Sequence, residues 1–374
     1  MSDLHHISAQ DPTALPPAAG SSVAWPAGFS LDQLHWEADE LGERFRKATI
    51  DLGPDPDGEG EVVATLVKYL PQQKLAEDAP TALWIHGMTD YFFHTHVAEH
   101  LASRGINTMA VDLRKCGRSH RAGQRWHHTL DLSSYDPELN VALAAAGQHG
   151  PVIVMAHSTG GLIAPLWLDR LRLQSEDDPA ATSLLNPLAG VVLNSPWLGM
   201  MIPNWAERML RPAVRTLGKA RPNMLMPSGS GDLTAYGKSL HKNHNGEWDF
   251  NLEYKPVNGQ EKTFGWLRAV ILGQDTIHSG VVECPAPTMV LCSTSSWLNK
   301  PYSAATDCAD AVLDVEDILA WAPSLVADGS KVEIHQVPGA RHDVFLSQQI
   351  ARATAFSRLD DFLDDLELTS TSRH

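Results

Sequence analysis

Val152-Ile153-Val154-Met155-Ala156-His157-Ser158-Thr159-Gly160-Gly161 says more about this chain's fold than any other segment. Its first five residues are a continuous apolar run, the pattern of a strand buried on both faces of a parallel sheet. Leu162–Leu173 follows with helical spacing, so the chain passes from strand to helix through a very short turn. A serine in such a turn, with small residues two positions away on either side, fits the Gly-x-Ser-x-Gly elbow. There the backbone is strained and the hydroxyl is presented outward. Ala156 stands in place of the first glycine and Gly160 supplies the second. The amides opening the next helix favour developing negative charge. An ordinary N-cap serine would give the same local pattern, so the surroundings must separate the two.

Working outward, Glu61–Leu70 alternates as a strand, and short β-rich runs occupy Thr81–His86, Asn107–Asp112, Gly190–Asn194, Thr288–Cys292 and Lys331–Val337. Helical patterns lie between them at His94–Ser103, Pro137–Gly147 and Val315–Val326. The last pattern, Val344–Leu366, sets Leu359, Phe362, Leu363 and Leu366 on one face. This alternation predicts a doubly wound α/β fold, with a mostly parallel central sheet flanked by helices. Pro165 falls inside the helix after the elbow and predicts a kink there.

Residues 1–30 are rich in Pro, Ala, Gly and Ser and predict a flexible lead-in. Residues 31–196 and 284–368 then make the two parts of one core. Between them, 197–283 breaks the alternation with Met200, Met201, Trp205, Met209, Met224, Met226, Trp248 and Trp266 and no clear strand. It is expected to form an inserted lid, irregular or helical.

Composition narrows the function. The 374 residues are 43% hydrophobic, enough for a substantial core, and carry a formal charge of −16. That charge, without a Lys/Arg cluster, excludes a nucleic-acid footprint and disfavours anionic membranes. No run approaches the roughly 18 apolar residues of a membrane span, and the start lacks a secretory signal. Cys116, Cys284, Cys292 and Cys308 lack metal-ligand or disulfide-framework spacing, which points to reduced thiols in a cytoplasmic protein. His127-His128 and His241/His244 have no paired ligand context, so no metal is expected.

A second chemical signal lies at Leu83-Trp84-Ile85-His86-Gly87-Met88-Thr89-Asp90, where a strand ends in His-Gly. Attack on an acyl carbonyl puts negative charge on its oxygen, and two aimed backbone N–H groups can hold that charge. The candidate donors are Met88 and Thr159, the latter directly after the serine. His157, preceding it, is expected to pack within the elbow.

His86-Gly87, Asp112-Leu113-Arg114-Lys115-Cys116-Gly117-Arg118-Ser119, the serine elbow and Gly339-Ala340-Arg341-His342-Asp343 follow one another in order. Over about residues 60–366 the chain thereby resembles the α/β-hydrolase superfamily. More narrowly it looks like the monoacylglycerol lipase and lysophospholipase (serine aminopeptidase-like) group. Lys115-Cys116 departs from the glycine that many relatives carry after the arginine.

The resemblance implies an order of serine, acid and histidine. It makes Ser158 the nucleophile and His342, in the loop after the last predicted strand, the base that takes its proton. The acid is expected soon after Thr288–Cys292, but Ser293-Thr294-Ser295-Ser296-Trp297 holds no carboxylate. Relatives' spacing favours Asp310, with 293–306 as an inserted loop, over Asp314 and Asp307; Asp314 also suits an N-cap. The implied activity is hydrolysis of small-molecule carboxylic esters without a cofactor. The methionines at 200–226 suggest a lipophilic acyl group, since methionine adapts to irregular apolar shapes. Two alternatives stand beside it. One is an aminopeptidase-like amide hydrolase, with Glu207, Asp232 or Glu253 receiving the substrate amine. The other is a non-catalytic ligand-binding homologue.

Overall fold

The computed structural model describes residues 17, 20–200, 204–227, 234–326, 332–366 and 368. Its strands, in chain order, are β1 (Glu37–Asp39), β2 (Gly42–Pro54), β3 (Glu61–Tyr69), β4 (Thr81–Ile85), β5 (Asn107–Asp112), β6 (Val152–His157), β7 (Leu188–Asn194), β8 (Thr288–Ser293) and β9 (Val332–Val337). They form one sheet in the order β1-β2-β3-β5-β4-β6-β7-β8-β9. The pairs from β1 to β5 are antiparallel, and every pair from β5–β4 onward is parallel. The helices are α1 (Thr95–Ser103), α2 (Asp136–Ala146), α3 (Thr159–Ser175), α4 (Pro179–Leu185), α5 (Asn204–Ala220), α6 (Thr234–Leu240), α7 (Phe264–His278), α8 (Val315–Trp321) and α9 (Gln349–Asp365).

Both faces of the sheet are covered, and β6 shows why its run is unbroken. Ile153 and Met155 join the cluster that holds α1 and α9, while Val152, Val154 and Ala156 join the cluster that holds α2, α3 and α7. Alternate side chains of a strand face opposite sides, so a strand buried on both must be apolar throughout. After β4 and β5 the chain crosses back to place β6 on the other side of β4. The carboxyl ends of β4 and β6 therefore flank a topological switch point, where open α/β sheets bind ligands.

Several expectations are corrected. The β1–β2 hairpin goes unrecognised in the sequence because β2 is a half-exposed strand near the sheet edge, rich in charged residues. The described part of the lead-in is docked: Val23 and Phe29 are buried, and Ser21 Oγ donates to Asp178 Oδ2 at 2.7 Å. The helix predicted over Val315–Val326 ends at Trp321 and continues as a 3-10 turn, Ala322–Leu325, because Pro323 has no N–H to donate. Val344–Leu346 is likewise a separate 3-10 turn before α9. Pro165 lies inside α3 and does not end it.

Between β7 and β8 the described residues hold α5, α6 and α7. α7 belongs to the core, with Trp266, Val270, Ile271 and Ile277 buried. Met201 and Asp232 lie outside the described residues, as do the side chains of Trp205 and Glu207. At the turn after Arg114, Lys115 has φ 61°, the left-handed backbone that glycine adopts most easily. Its buried ammonium lies 2.6 Å from Asp55 and 3.0 Å from Glu59 and donates to the His128 carbonyl. The turn keeps a glycine's geometry and gains an internal ion pair.

Candidate active site

Ser158 sits between β6 and α3 at φ 54°, ψ −115°, a region that costs a non-glycine residue about 1–3 kcal/mol and persists only when its surroundings enforce it. The enforcement is visible in the small residues. A Cβ on Gly160 would come within 2.5 Å of the His86 carbonyl oxygen, and one on Gly161 within 2.8 Å of the Pro196 Cα. On the facing loop, a Cβ on Gly87 would meet the Ser158 Cβ at 2.8 Å. Two backbone bonds hold the turn: Ser158 N–H donates to Asn194 O, and Trp197 N–H donates to Ser158 O, each at 3.0 Å.

Ser158 Oγ lies 2.9 Å from His342 Nε2, and His342 Nδ1 lies 2.9 Å from Asp310 Oδ2. All three residues are buried. The other Asp310 oxygen accepts from the Val312 and Leu313 N–H groups at 2.8 Å, which fixes the carboxylate's direction. Asp310 arrives by a detour. The chain leaves β8, runs out through 294–309 and returns, so that Asp310 N–H donates to Ser295 O and Trp297 N–H donates to Asp310 O. Asp310 thus sits against the end of β8, where a residue directly following the strand would sit.

The other two carboxylates take different places. Asp314 caps α8, accepting from Glu316 N–H. Asp307 accepts from Arg341 Nη2 at 3.0 Å and from the Tyr302 hydroxyl at 2.9 Å. It therefore ties the loop of Asp310 to the loop of His342.

On the facing loop, His86 Nε2 accepts from Leu113 N–H at 3.0 Å, so Nδ1 carries the proton donated to Gly87 O at 2.7 Å. The carbonyl and N–H of a trans peptide point in opposite directions. Anchoring the Gly87 carbonyl to the ring therefore turns the Met88 N–H the other way, and Met88 lines the pocket that contains Ser158 and His342. Thr159 opens α3, where N–H groups have no partner in the helix's own ladder.

Further residues complete the surroundings. Asp343 accepts from Asn194 Nδ2 at 2.7 Å and lies 2.8 Å from His94 Nε2, binding the His342 loop to β7 and the start of α1. Burial opposes its ionisation, but His157, His94 and the Asn194 bond hold its carboxyl well below the usual range. The His157 ring packs 4.9 Å from the His342 ring, with Nδ1 3.3 Å from Asp90 Oδ2. Burial pushes His157 toward its neutral form. Asp90 is held ionised against burial, chiefly by Lys255, whose Nζ is 2.7 Å from Oδ1. Asp343 could have been suspected from its place beside His342; nothing in the chain flags Lys255.

The pocket beside Ser158 is roofed by Tyr236, Phe250, Lys255, Pro256 and Val257 and offers about 30 Å³ of free space. That is room for a group of about the size of two waters. Met200, Met209, Met224 and Met226, the residues behind the expectation of a lipophilic substrate, are not in its wall, and neither is Glu253. Among the described residues, no three His, Cys, Asp or Glu side chains gather as metal ligands. Nor is any helix among them long and apolar enough to cross a membrane.

Residues 82–355 match the sequence profile of the Alpha/beta hydrolase family. Among solved structures, a soluble variant of monoglyceride lipase from Saccharomyces cerevisiae, bound to a substrate analog, superposes with a TM-score of 0.59 at 14% identity, covering 91% of this chain and 99% of that one. A thermostable carboxyl esterase from Bacillus coagulans, in complex with glycerol, gives 0.56 at 15% identity over 87% and 99%. A monoacylglycerol lipase from Paleococcus ferrophilus gives 0.51 at 14% over 78% and 99%. No curated protein sequence shows a significant match. At these identities the structural likeness speaks for the fold.

Proposed function

Because the chain belongs to the Alpha/beta hydrolase family, we propose that it hydrolyses carboxylic esters through an acyl-enzyme on Ser158, with His342 as base and Asp310 as acid. The observation that carries this reading is the unbroken relay from Ser158 Oγ to His342 Nε2 and from His342 Nδ1 to Asp310 Oδ2, 2.9 Å at each step. A serine hydroxyl is a weak nucleophile until an imidazole takes its proton, and a carboxylate on the far nitrogen holds that imidazole in the required tautomer.

In the first half-reaction Ser158 Oγ bonds to the acyl carbon as its proton passes to His342 Nε2. The carbonyl oxygen becomes an oxyanion held by the Met88 and Thr159 amides. The bond to the alcohol oxygen then breaks, and His342 returns the proton to it. Water repeats the sequence on the acyl-enzyme, freeing the acid and restoring the serine. Between β7 and β8, Tyr236, Phe250 and Val257 act as a lid that covers the pocket. Phe250, Val257 and Val312 give that pocket an apolar side suited to an acyl group, and its small volume favours a short one in this closed arrangement.

The test is covalent labelling by a fluorophosphonate together with turnover of p-nitrophenyl esters of graded acyl length. Labelling that is lost in Ser158→Ala, with turnover falling as the acyl chain lengthens, is the expected result. Failure of the wild-type protein either to label or to turn over any ester would remove the reading.

A further inference from the structure

Two polar groups of the roof have no role in the relay. Tyr236, at the start of α6, is 5% exposed, and its hydroxyl is buried without a hydrogen-bond partner. Its ring stands edge-on to His342, 5.4 Å between centroids. Lys255, 7% exposed, gives Asp90 one of the three donors an ammonium carries. Its Nζ lies over the faces of Phe93 and Tyr236, 5.5 and 5.8 Å from the ring centroids. Both residues line the pocket that contains Ser158 and His342.

These groups make a lopsided set. Buried polar groups in folded proteins are nearly always hydrogen-bonded, so a buried hydroxyl left over at a pocket wall is the kind of exception that a ligand resolves. The second oxygen of Asp90 points away from Lys255, 3.3 Å from His157 Nδ1 and without a hydrogen bond of its own, whereas on the roof the Tyr236 hydroxyl and the Lys255 ammonium have donors to spare. The ion pair also cancels its own charge. A cation already neutralised by Asp90 gives an incoming anion little net attraction, while the desolvation of that anion costs its full amount. An uncharged oxygen acceptor carries no such penalty.

We propose that the Tyr236 hydroxyl and the Lys255 ammonium form a specificity subsite for an uncharged oxygen acceptor, a keto, ester or ether oxygen, on the ester substrate's non-reacting part. The substrate class is thus a short ester carrying a second oxygen function near the scissile bond. The inference rests on the ester-hydrolase reading and adds a selectivity that this reading does not require.

Two length-matched substrate pairs test it. One is p-nitrophenyl 4-oxopentanoate against p-nitrophenyl pentanoate; the other is 2-methoxyethyl butyrate against butyl butyrate. In at least one pair the oxygen-bearing ester is expected to have a kcat/KM about tenfold higher, the worth of one hydrogen bond. In that pair the ratio should collapse toward one in both Tyr236→Phe and Lys255→Met. Tyr236→Phe removes only a hydroxyl that has no partner, so it tests the subsite even if Lys255→Met unfolds by stranding Asp90. Ratios near one in both pairs for the wild type, or a favoured ratio that survives Tyr236→Phe, would overturn the proposal. So would p-nitrophenyl hydrogen succinate outpacing the 4-oxopentanoate, which would make the subsite one for anions. Turnover and fluorophosphonate labelling with flat ratios would sink the subsite alone; absence of both would sink the ester-hydrolase reading with it.

Discussion

The turn that carries Ser158 and the loop that carries Asp310 reach the same small volume by opposite means. The turn is built locally: strand, serine and helix are contiguous, and close approach at Gly87, Gly160 and Gly161 leaves it a single conformation. The loop is built remotely. Asp310 stands beside β8 only because two backbone hydrogen bonds, to Ser295 and from Trp297, close the excursion through 294–309. Both are held by hydrogen bonds, but the nucleophile is fixed by steric exclusion as well. Those two kinds of restraint should fail differently.

The largest expected effect lies at the turn. Ser158→Ala should lower kcat by about a million-fold, the scale seen when a serine nucleophile is removed from such a unit, with the melting temperature maintained. Asp310→Asn should lower kcat by about ten-thousand-fold, because an amide favours the wrong imidazole tautomer. If Asp314→Asn or Asp307→Asn did this instead, the assignment of the acid would be wrong. Gly160→Ala tests steric exclusion directly. Its Cβ would press on the His86 carbonyl, a backbone atom that cannot swing aside. A loss of about 1–3 kcal/mol in urea unfolding is expected, with kcat falling in parallel as the turn shifts.

A smaller effect concerns the buried carboxylates beneath the turn. Burial works against the charge of Asp343, yet His157, His94 and Asn194 hold its folded pKa below the unfolded value. Its contribution to stability is therefore fully present above about pH 4 and is lost as the pH falls below that. Unfolding free energy measured between pH 5 and 3 should fall less steeply in Asp343→Asn than in the wild type. An identical slope would show that the carboxylate is not held ionised. The smallest effect belongs to Asp314→Ala, which removes the α8 cap and should cost about 1 kcal/mol while leaving ester turnover unchanged.

How far the chain's own text reaches follows from the same contrast. An elbow serine, a two-faced apolar strand before it and a His-Gly at the neighbouring strand's end are patterns over a few residues. Backbone sterics and side-chain alternation act at that range, so β4, β5 and β6 could be placed and Ser158 singled out. His342 and Asp310 needed the order of elements that the resemblance supplied. Composition cannot say which way a side chain faces: Met200, Met209, Met224 and Met226 do not line the pocket, which is walled by Tyr236, Phe250 and Val257.

From the primary structure alone came the α/β class, the buried parallel strands and the residue at the elbow, since each depends on periodicity or on a local steric requirement. Three-dimensional packing alone brought Asp307 to Arg341, Asp343 to His94 and Asn194, and Lys255 to Asp90. Those partners are separated by tens to hundreds of positions along the chain. Their pairing is set by burial, which makes an uncompensated charge too costly and so forces a counter-charge or hydrogen-bond partner from wherever the fold can deliver one.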